Sequence, residues 1–200
     1  MSFDAPLPPY NASDPSATFL NSSCLDLLMI ELVPMAYRVV NEVDAAALDG
    51  RLPAKAGHES MDEEEERDAV FYRLEMLGYR VGQGLVERFS RDRPRFTDTL
   101  DVIKFLCKDL WMLVFRKQID NLKTNHRGVY VLTDNSFRPF ARMSTEAGGQ
   151  AVVRAQPFLW FPCGIIRGAL ASMGINATVQ AETSELPGAT FQIKSIVAKP

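Results

Sequence analysis

The sequence predicts an α+β fold in which a layer of mostly antiparallel helices packs on an antiparallel sheet. Two observations carry this prediction. Through the first half of the chain apolar residues recur every three or four positions, the spacing of helices with one buried face. In the second half apolar and polar residues alternate around turn sequences, which is typical of strands. One apolar helix interrupts the strands, and 200 residues with 46% apolar content suit a single two-layer domain.

The first helix is more apolar than one buried face requires. Residues 1–17 hold four prolines and are expected to form a flexible lead-in, so the single domain spans 18–200. The apolar segment begins near Thr18, Ser23 and Asp26 fit a capping pattern, and Pro34 is expected to kink the helix. A helix that is apolar around most of its girth lies either in a deep core or at an interface. Both readings fit the pattern, and the second helix favours an interface.

The second helix is predicted over 63–89, after an acidic loop at about 44–66. The acidic run 62–66 fits either an interaction tail or, as we favour, a first turn that faces the positive end of the helix dipole. Its apolar stripe is Val70, Leu74, Leu77, Val81 and Leu85, with Phe71 and Gly78 on an adjoining strip. Glycine disfavours helix by roughly 1 kcal/mol against alanine, so Gly78, Gly82 and Gly84 predict close approach of another backbone.

The remaining elements follow from caps and turns. A third helix is capped by Thr97 or Asp98 and ends near Arg116. Strands are predicted at 118–124 and 128–133 around a turn at 125–128, and a third short strand at 137–143, where Pro139 indicates a sheet edge. A fourth helix covers 156–173 and ends at Gly174, and two alternating strands follow near 177–182 and 191–194.

The sequence offers no constellation for chemistry. The net charge of -3 gives no basic field, so nucleic acid is a poor partner, and the longest near-apolar run is too short to cross a bilayer. The two histidines have no nucleophile beside them, and cysteine and histidine do not occur at metal-ligand spacing. Cys107 and Cys163 are expected to be small core residues. We therefore expect no catalytic residue, no metal and no cofactor, and a cytosolic location.

Several long motifs in order resemble the small subunits of the transport protein particle (TRAPP) complex, and most of all its subunit-6 branch. They are GYRVGQGLVER from Gly78, KDLW from Lys108, QIDNLKTNH from Gln118 and CGIIRG from Cys163. The resemblance implies a non-catalytic subunit of a multisubunit vesicle-tethering complex that acts as guanine-nucleotide exchange factor for a Rab-type GTPase in ER-to-Golgi transport. It also implies a cytoplasmic protein peripherally associated with early Golgi and endoplasmic reticulum membranes.

The resemblance further implies pairing with another small subunit, especially the acylated founding member of the family, through the N-terminal helices. We therefore expect a partner interface formed by Leu25, Leu28, Met29, Leu32, Phe71, Leu74 and Gly78. Acylated members carry a cysteine just before the third helix, and residues 92–96 have none, which argues against acylation here. The alternative is a protein that binds a small molecule or an acyl chain in an apolar interior.

Overall fold

The computed structural model describes residues 20–21, 23–51, 60–125, 127–143 and 150–196. These residues include six α-helices and a four-stranded sheet. The helices are α1 (Ser23–Leu48), α2 (Glu63–Phe89), α3 (Thr99–Phe105), α4 (Trp111–Phe115), α5 (Gln150–Ala155) and α6 (Trp160–Ser172). The strands are β1 (Asn121–Thr124), β2 (Val129–Asp134), β3 (Ala177–Glu182) and β4 (Ala189–Ser195). The predicted α+β architecture is confirmed, while the predicted lead-in lies outside the described residues.

All neighbouring strands of the sheet pair antiparallel, in the order β1-β2-β4-β3. The second strand of the first hairpin therefore pairs with the last strand of the chain, with Leu132 opposite Phe191. Both side chains are fully buried, and Phe191 joins an aromatic cluster with Trp111, Phe115 and Phe137. One face of the sheet thus closes the core.

The helix predictions hold best where a cap fixes the end. Asp62 caps α2 and shares a capping box with Glu65, so the acidic run is the first turn of that helix, as predicted. Asp98 caps α3 by accepting from the backbone N–H of Asp101. The loop expected from residue 44 was wrong at its start, because α1 continues through a run of three alanines to Leu48. The predicted cap at Ser23 was also wrong, since Ser23 is the first residue of α1 and Asp26 pairs with Arg138.

The predicted third helix is interrupted by a π-helical turn at Leu106–Leu110, which the sequence did not indicate. This turn lies between α3 and α4, and the carbonyl of Cys107 accepts a hydrogen bond from the backbone N–H of Ile119 at 3.0 Å. A π-turn shifts the intrahelical hydrogen-bond pattern by one residue. It therefore leaves a carbonyl here that ties the helix to the start of the first hairpin.

The strand predicted at 137–143 was wrong, because a 3₁₀ turn at Arg138–Phe140 occupies its centre. Phe137 and Phe140 lie on either side of Pro139, both almost fully buried, with their ring centroids 5.1 Å apart. Two large rings three residues apart point into the same core only if the chain turns between them. The predicted fourth helix is likewise shorter than expected, because Gln156–Leu159 form a 3₁₀ turn before α6.

Candidate partner interface

The feature that stands out on the surface is the outer face of α1. Helix α1 has two sharply different arcs. Its inner arc, Met29, Leu32, Val33, Ala36 and Val40, belongs to the hydrophobic core. Its outer arc carries Leu27, Leu28, Ile30 and Met35, which we call the outer face; Leu27 and Leu28 are 65% and 57% exposed. A cluster of exposed aliphatic side chains on one helix is typical of a protein-binding surface.

The seven residues predicted to form the interface lie in different environments. Leu28 and Phe71 are exposed, whereas Met29, Leu32 and Leu74 are buried within the chain. Leu25 is partly buried against the core, and Gly78 contacts the backbone of α6. Only Leu28 and Phe71 therefore present their side chains to solvent, and the interface itself remains a prediction.

Sequence reasoning did not include Leu27, Ile30 and Met35 in the interface, although they lie beside Leu28 on the same arc. The signal was available in the spacing, because residues 27, 30, 31, 34, 35 and 38 follow one helical face. Apolar residues lie on every side of α1, although Glu31 and Arg38 share the outer face with Leu27, Ile30 and Met35. Only the packing could tell which arc the helix buries.

Phe71 belongs to an aromatic patch near the start of α6. Its ring meets Trp160 edge to face at a centroid distance of 5.7 Å, and the Arg67 guanidinium lies 5.9 Å from the Trp160 ring centroid. Tyr72 beside them is exposed. Phe71 therefore contacts Trp160 within the chain and is also partly exposed to solvent. A substitution there would affect both the packing of the chain and any partner contact.

The glycines of α2 and α6 interlock, which explains two of the three predicted close approaches. A Cβ atom at Gly78 would overlap the carbonyl oxygen of Phe161, and one at Gly82 would overlap that of Ile165. Gly164 and Gly168 of α6 meet the backbone of Glu75 and Tyr79 in the same way. Along this contact the residue numbers increase in the same direction on both helices, so α2 and α6 run parallel, whereas the sequence predicted mostly antiparallel helices. At Gly84 the prediction was wrong, since nothing lies within 4 Å of a Cβ there.

An ion pair flanks this helix contact. The Arg167 guanidinium forms a two-pronged pair with the carboxylate of Glu75, through Nε to Oε1 and through Nη2 to Oε2 at 2.7 Å. The same guanidinium lies 4.3 Å from the ring centroid of Tyr79. The hydrogen bonds to Glu75 raise the pKa of Arg167 although burial opposes this, so the guanidinium stays protonated.

A second ion pair joins α1 to the 3₁₀ turn at Arg138–Phe140. Arg138 Nε lies 2.9 Å from Asp26 Oδ1, and Arg142 Nη2 lies 3.5 Å from Asp26 Oδ2. The hydrogen bond from Arg138 lowers the pKa of Asp26, although burial opposes it, and the charges of both arginines act in the same direction. The sequence had given Asp26 only a capping role, and its partner is 112 residues away.

A small cavity lies beside this ion pair. Leu25, Ile30, Phe115 and Phe158 line it, and its volume is about 30 Å³. Pockets for drug-sized ligands have volumes of about 300–1,000 Å³, so this cavity is too small for an acyl chain. The segment before α3 packs closely on that helix. The Phe96 and Phe105 ring centroids are 5.2 Å apart, and the Arg93 guanidinium lies 4.9 Å from the Phe105 centroid.

The buried polar and thiol groups of the described residues have structural roles. The Asp134 carboxylate, fully buried, accepts from Trp111 Nε1 at 2.8 Å and from Lys117 Nζ at 2.6 Å. Burial raises the pKa of the Cys107 thiol to about 12 and also raises that of Cys163. Such thiols are protonated at neutral pH and are poor nucleophiles. Within the described ranges no group of three His, Cys, Asp or Glu is placed to hold a metal, and no described helix is long and apolar enough to cross a bilayer.

Comparisons with known proteins point in one direction. The family model for transport protein particle (TRAPP) components matches residues 25–196. The chain is 53% identical over 130 residues to trafficking protein particle complex subunit 6b of Danio rerio, covering 65% of this chain and 82% of that protein. It is 52% identical over 130 residues to subunit 6B of Homo sapiens, with 65% and 81% covered. A crystal structure of subunit 3 from Naegleria fowleri, covalently bound to palmitic acid, shares the fold at a TM-score of 0.58 and 12% identity, covering 88% of this chain and 97% of that one.

Proposed function

Because the chain belongs to the TRAPP family and fits its subunit-6 branch, we propose that it is a non-catalytic subunit that pairs with a second small subunit through the outer face of α1. The observation that carries the proposal is the exposure of Leu27, Leu28, Ile30 and Met35 on one arc of a helix whose other arc is core. A stable interface of standard size buries about 1,600 Å² in total. The outer face also carries the exposed ion pair of Glu31 and Arg38, so the proposed interface would combine apolar contacts with a charged pair.

The partner in this proposal is the acylated founding small subunit of the family. The pair then enters a larger assembly that acts as guanine-nucleotide exchange factor for a Rab-type GTPase in ER-to-Golgi transport. The chain would act in the cytoplasm, at the surface of early Golgi and endoplasmic reticulum membranes. In this proposal the chain contributes a binding surface to the assembly, while its buried thiols and ion pairs stabilise its own fold.

The test is a co-purification experiment with Leu28→Asp in the full chain. A carboxylate at the centre of an apolar interface is costly to bury without a partner, whereas on the free subunit it remains in water. Truncations at such positions cost about 2 kcal/mol or more, so we expect binding to the founding subunit to weaken by about 30-fold or more. Phe71→Asp should also weaken binding, but it additionally removes the ring contact with Trp160.

The matched control is Ile196→Asp, which places the same charge at an exposed aliphatic residue just beyond β4. Circular dichroism should show that both aspartate variants remain folded. If Leu28→Asp binds as tightly as Ile196→Asp, the partner uses another surface and the proposal is wrong.

A further inference from the structure

The cavity between α1 and the 3₁₀ turn opens toward the outer face. Ile30 belongs to both: it lines the cavity and is itself 47% exposed. Its walls are mainly apolar, with Leu25, Met29, Phe115, Pro139 and Phe158, and its lining also includes the charged residues Asp26, Arg138 and Arg142. Its volume of about 30 Å³ exceeds what one water needs and suits the tip of one small apolar side chain.

The rim of the cavity has more positive than negative charge. Two guanidinium groups, of Arg138 and Arg142, face the single carboxylate of Asp26. Arg138 makes the hydrogen bond to Asp26 at 2.9 Å, whereas Arg142 is 3.5 Å away and its side chain is 70% exposed. A distance of 3.5 Å is beyond the usual range for an N–H···O bond, so Asp26 is committed mainly to Arg138. The arrangement therefore presents a positive group to solvent beside an apolar opening.

We propose that this cavity receives one apolar side chain of the partner subunit, and that a carboxylate next to that side chain pairs with Arg142. The proposal rests on the proposed pairing through the outer face and names the chemistry that the partner must bring to it. Charge complementarity supports this occupant, because a guanidinium binds a carboxylate through two parallel hydrogen bonds. Arg142 would then select among similar small subunits, whereas the apolar side chain in the cavity would slow dissociation.

The test uses the purified full chain and the acylated founding subunit of the family, with dissociation constants measured between 50 and 500 mM salt. We expect Arg142→Glu to weaken binding by about tenfold or more, because a repulsive pair replaces an attractive one. Arg142→Ala should weaken it less and make the affinity less dependent on salt. Lys194→Glu reverses a charge on the exposed side of β4 and is the matched control.

The cavity itself is tested with Ile30→Ala and Ile30→Asp. Both replace a partly exposed residue, and thermal melting should show that they remain folded. We expect Ile30→Ala to speed dissociation several-fold, and Ile30→Asp to weaken binding further. The charge effect of Arg142→Glu should disappear when the partner's matching carboxylate is removed, in a scan of its Asp and Glu residues to Ala.

The outcomes separate this inference from the proposed function. If the founding subunit binds the wild-type chain and both Arg142→Glu and Ile30→Asp bind equally well, the cavity inference is wrong and the pairing stands. If Leu28→Asp abolishes binding while the Arg142 variants keep wild-type affinity and salt dependence, the partner covers the outer face without using the cavity rim. If the founding subunit does not bind the wild-type chain, both proposals fail.

Discussion

The α2–α6 contact and the outer face of α1 show two opposite ways in which a helix surface can be used. At the first, four glycines let two backbones touch, and an ion pair closes the edge. At the second, large aliphatic side chains stand in solvent, with Arg38 and Glu31 forming an exposed pair beside them. The interior contact depends on the absence of side chains, so it tolerates no addition. The side chains of the outer face are exposed and contribute little to the core. Substitutions there are therefore expected to leave the chain folded.

The largest expected effect is at a glycine of the interior contact. Gly82→Val should destabilise the chain by about 3 kcal/mol or more, because its Cβ would overlap the carbonyl oxygen of Ile165 and backbone cannot move aside cheaply. Urea unfolding followed by circular dichroism measures the change. Gly84→Val is the matched control on the same helix, where there is open space around the Cβ position, and should change the free energy of unfolding by less than about 1 kcal/mol. Equal effects at the two positions would contradict the interlocked packing.

Breaking the ion pair in each region should lower the free energy of unfolding by a smaller amount. Arg167→Met leaves the nearly buried carboxylate of Glu75 without its counterion. Breaking a fully buried pair costs about 3–5 kcal/mol, and since Arg167 is about one-third exposed we expect about 2 kcal/mol. Arg38→Met breaks the exposed pair with Glu31 and should change the free energy of unfolding by less than about 0.5 kcal/mol.

The double variant Glu75→Met with Arg167→Met sharpens this comparison. Removing both charges restores most of the lost stability if the penalty comes from an unpaired carboxylate. A double variant as unstable as Arg167→Met alone would show that the guanidinium matters through its packing on Tyr79 instead.

The smallest expected effect is a difference in acid sensitivity. The pKa of Asp26 is lower in the folded chain than its ordinary value of 3.8, so the folded state binds fewer protons than the unfolded state. The ion pair with Arg138 therefore stabilises the fold above that ordinary value, and its contribution is lost as the pH falls through the folded pKa. Hydrogen-exchange protection factors of α1 should fall in acid before those of α2 and α6, which are held by backbone packing.

Asp26→Asn is the control for this effect. It keeps the shape of the side chain and removes the titrating group, so α1 should lose some protection at neutral pH and show less further loss in acid. Equal acid loss in the wild type and in Asp26→Asn would assign the acid sensitivity to another carboxylate, such as Asp120 beside Lys117, whose pKa is also lowered.

The sequence by itself determined the parts of this protein that depend on neighbours along the chain. The acidic run from Asp62 and the cap at Asp98 indicated the starts of α2 and α3. The turn at 125–128 indicated β1 and β2, and alternation indicated β3 and β4, because these signals act over a few residues. The order of motifs was sufficient to indicate the family, and Gly78 and Gly82 of α2 indicated the close approach of another backbone.

Only the tertiary structure decided what each apolar residue faces. Hydrophobicity shows that a residue avoids water without showing which surface covers it, so Leu28 and Leu32 look alike in sequence although one is exposed and the other buried. The same limit explains Gly82 and Gly84, one locked against Ile165 and the other open. Asp26 and Arg138 met only in the fold, because attraction between charges depends on distance in space, and 112 residues of chain separate the two.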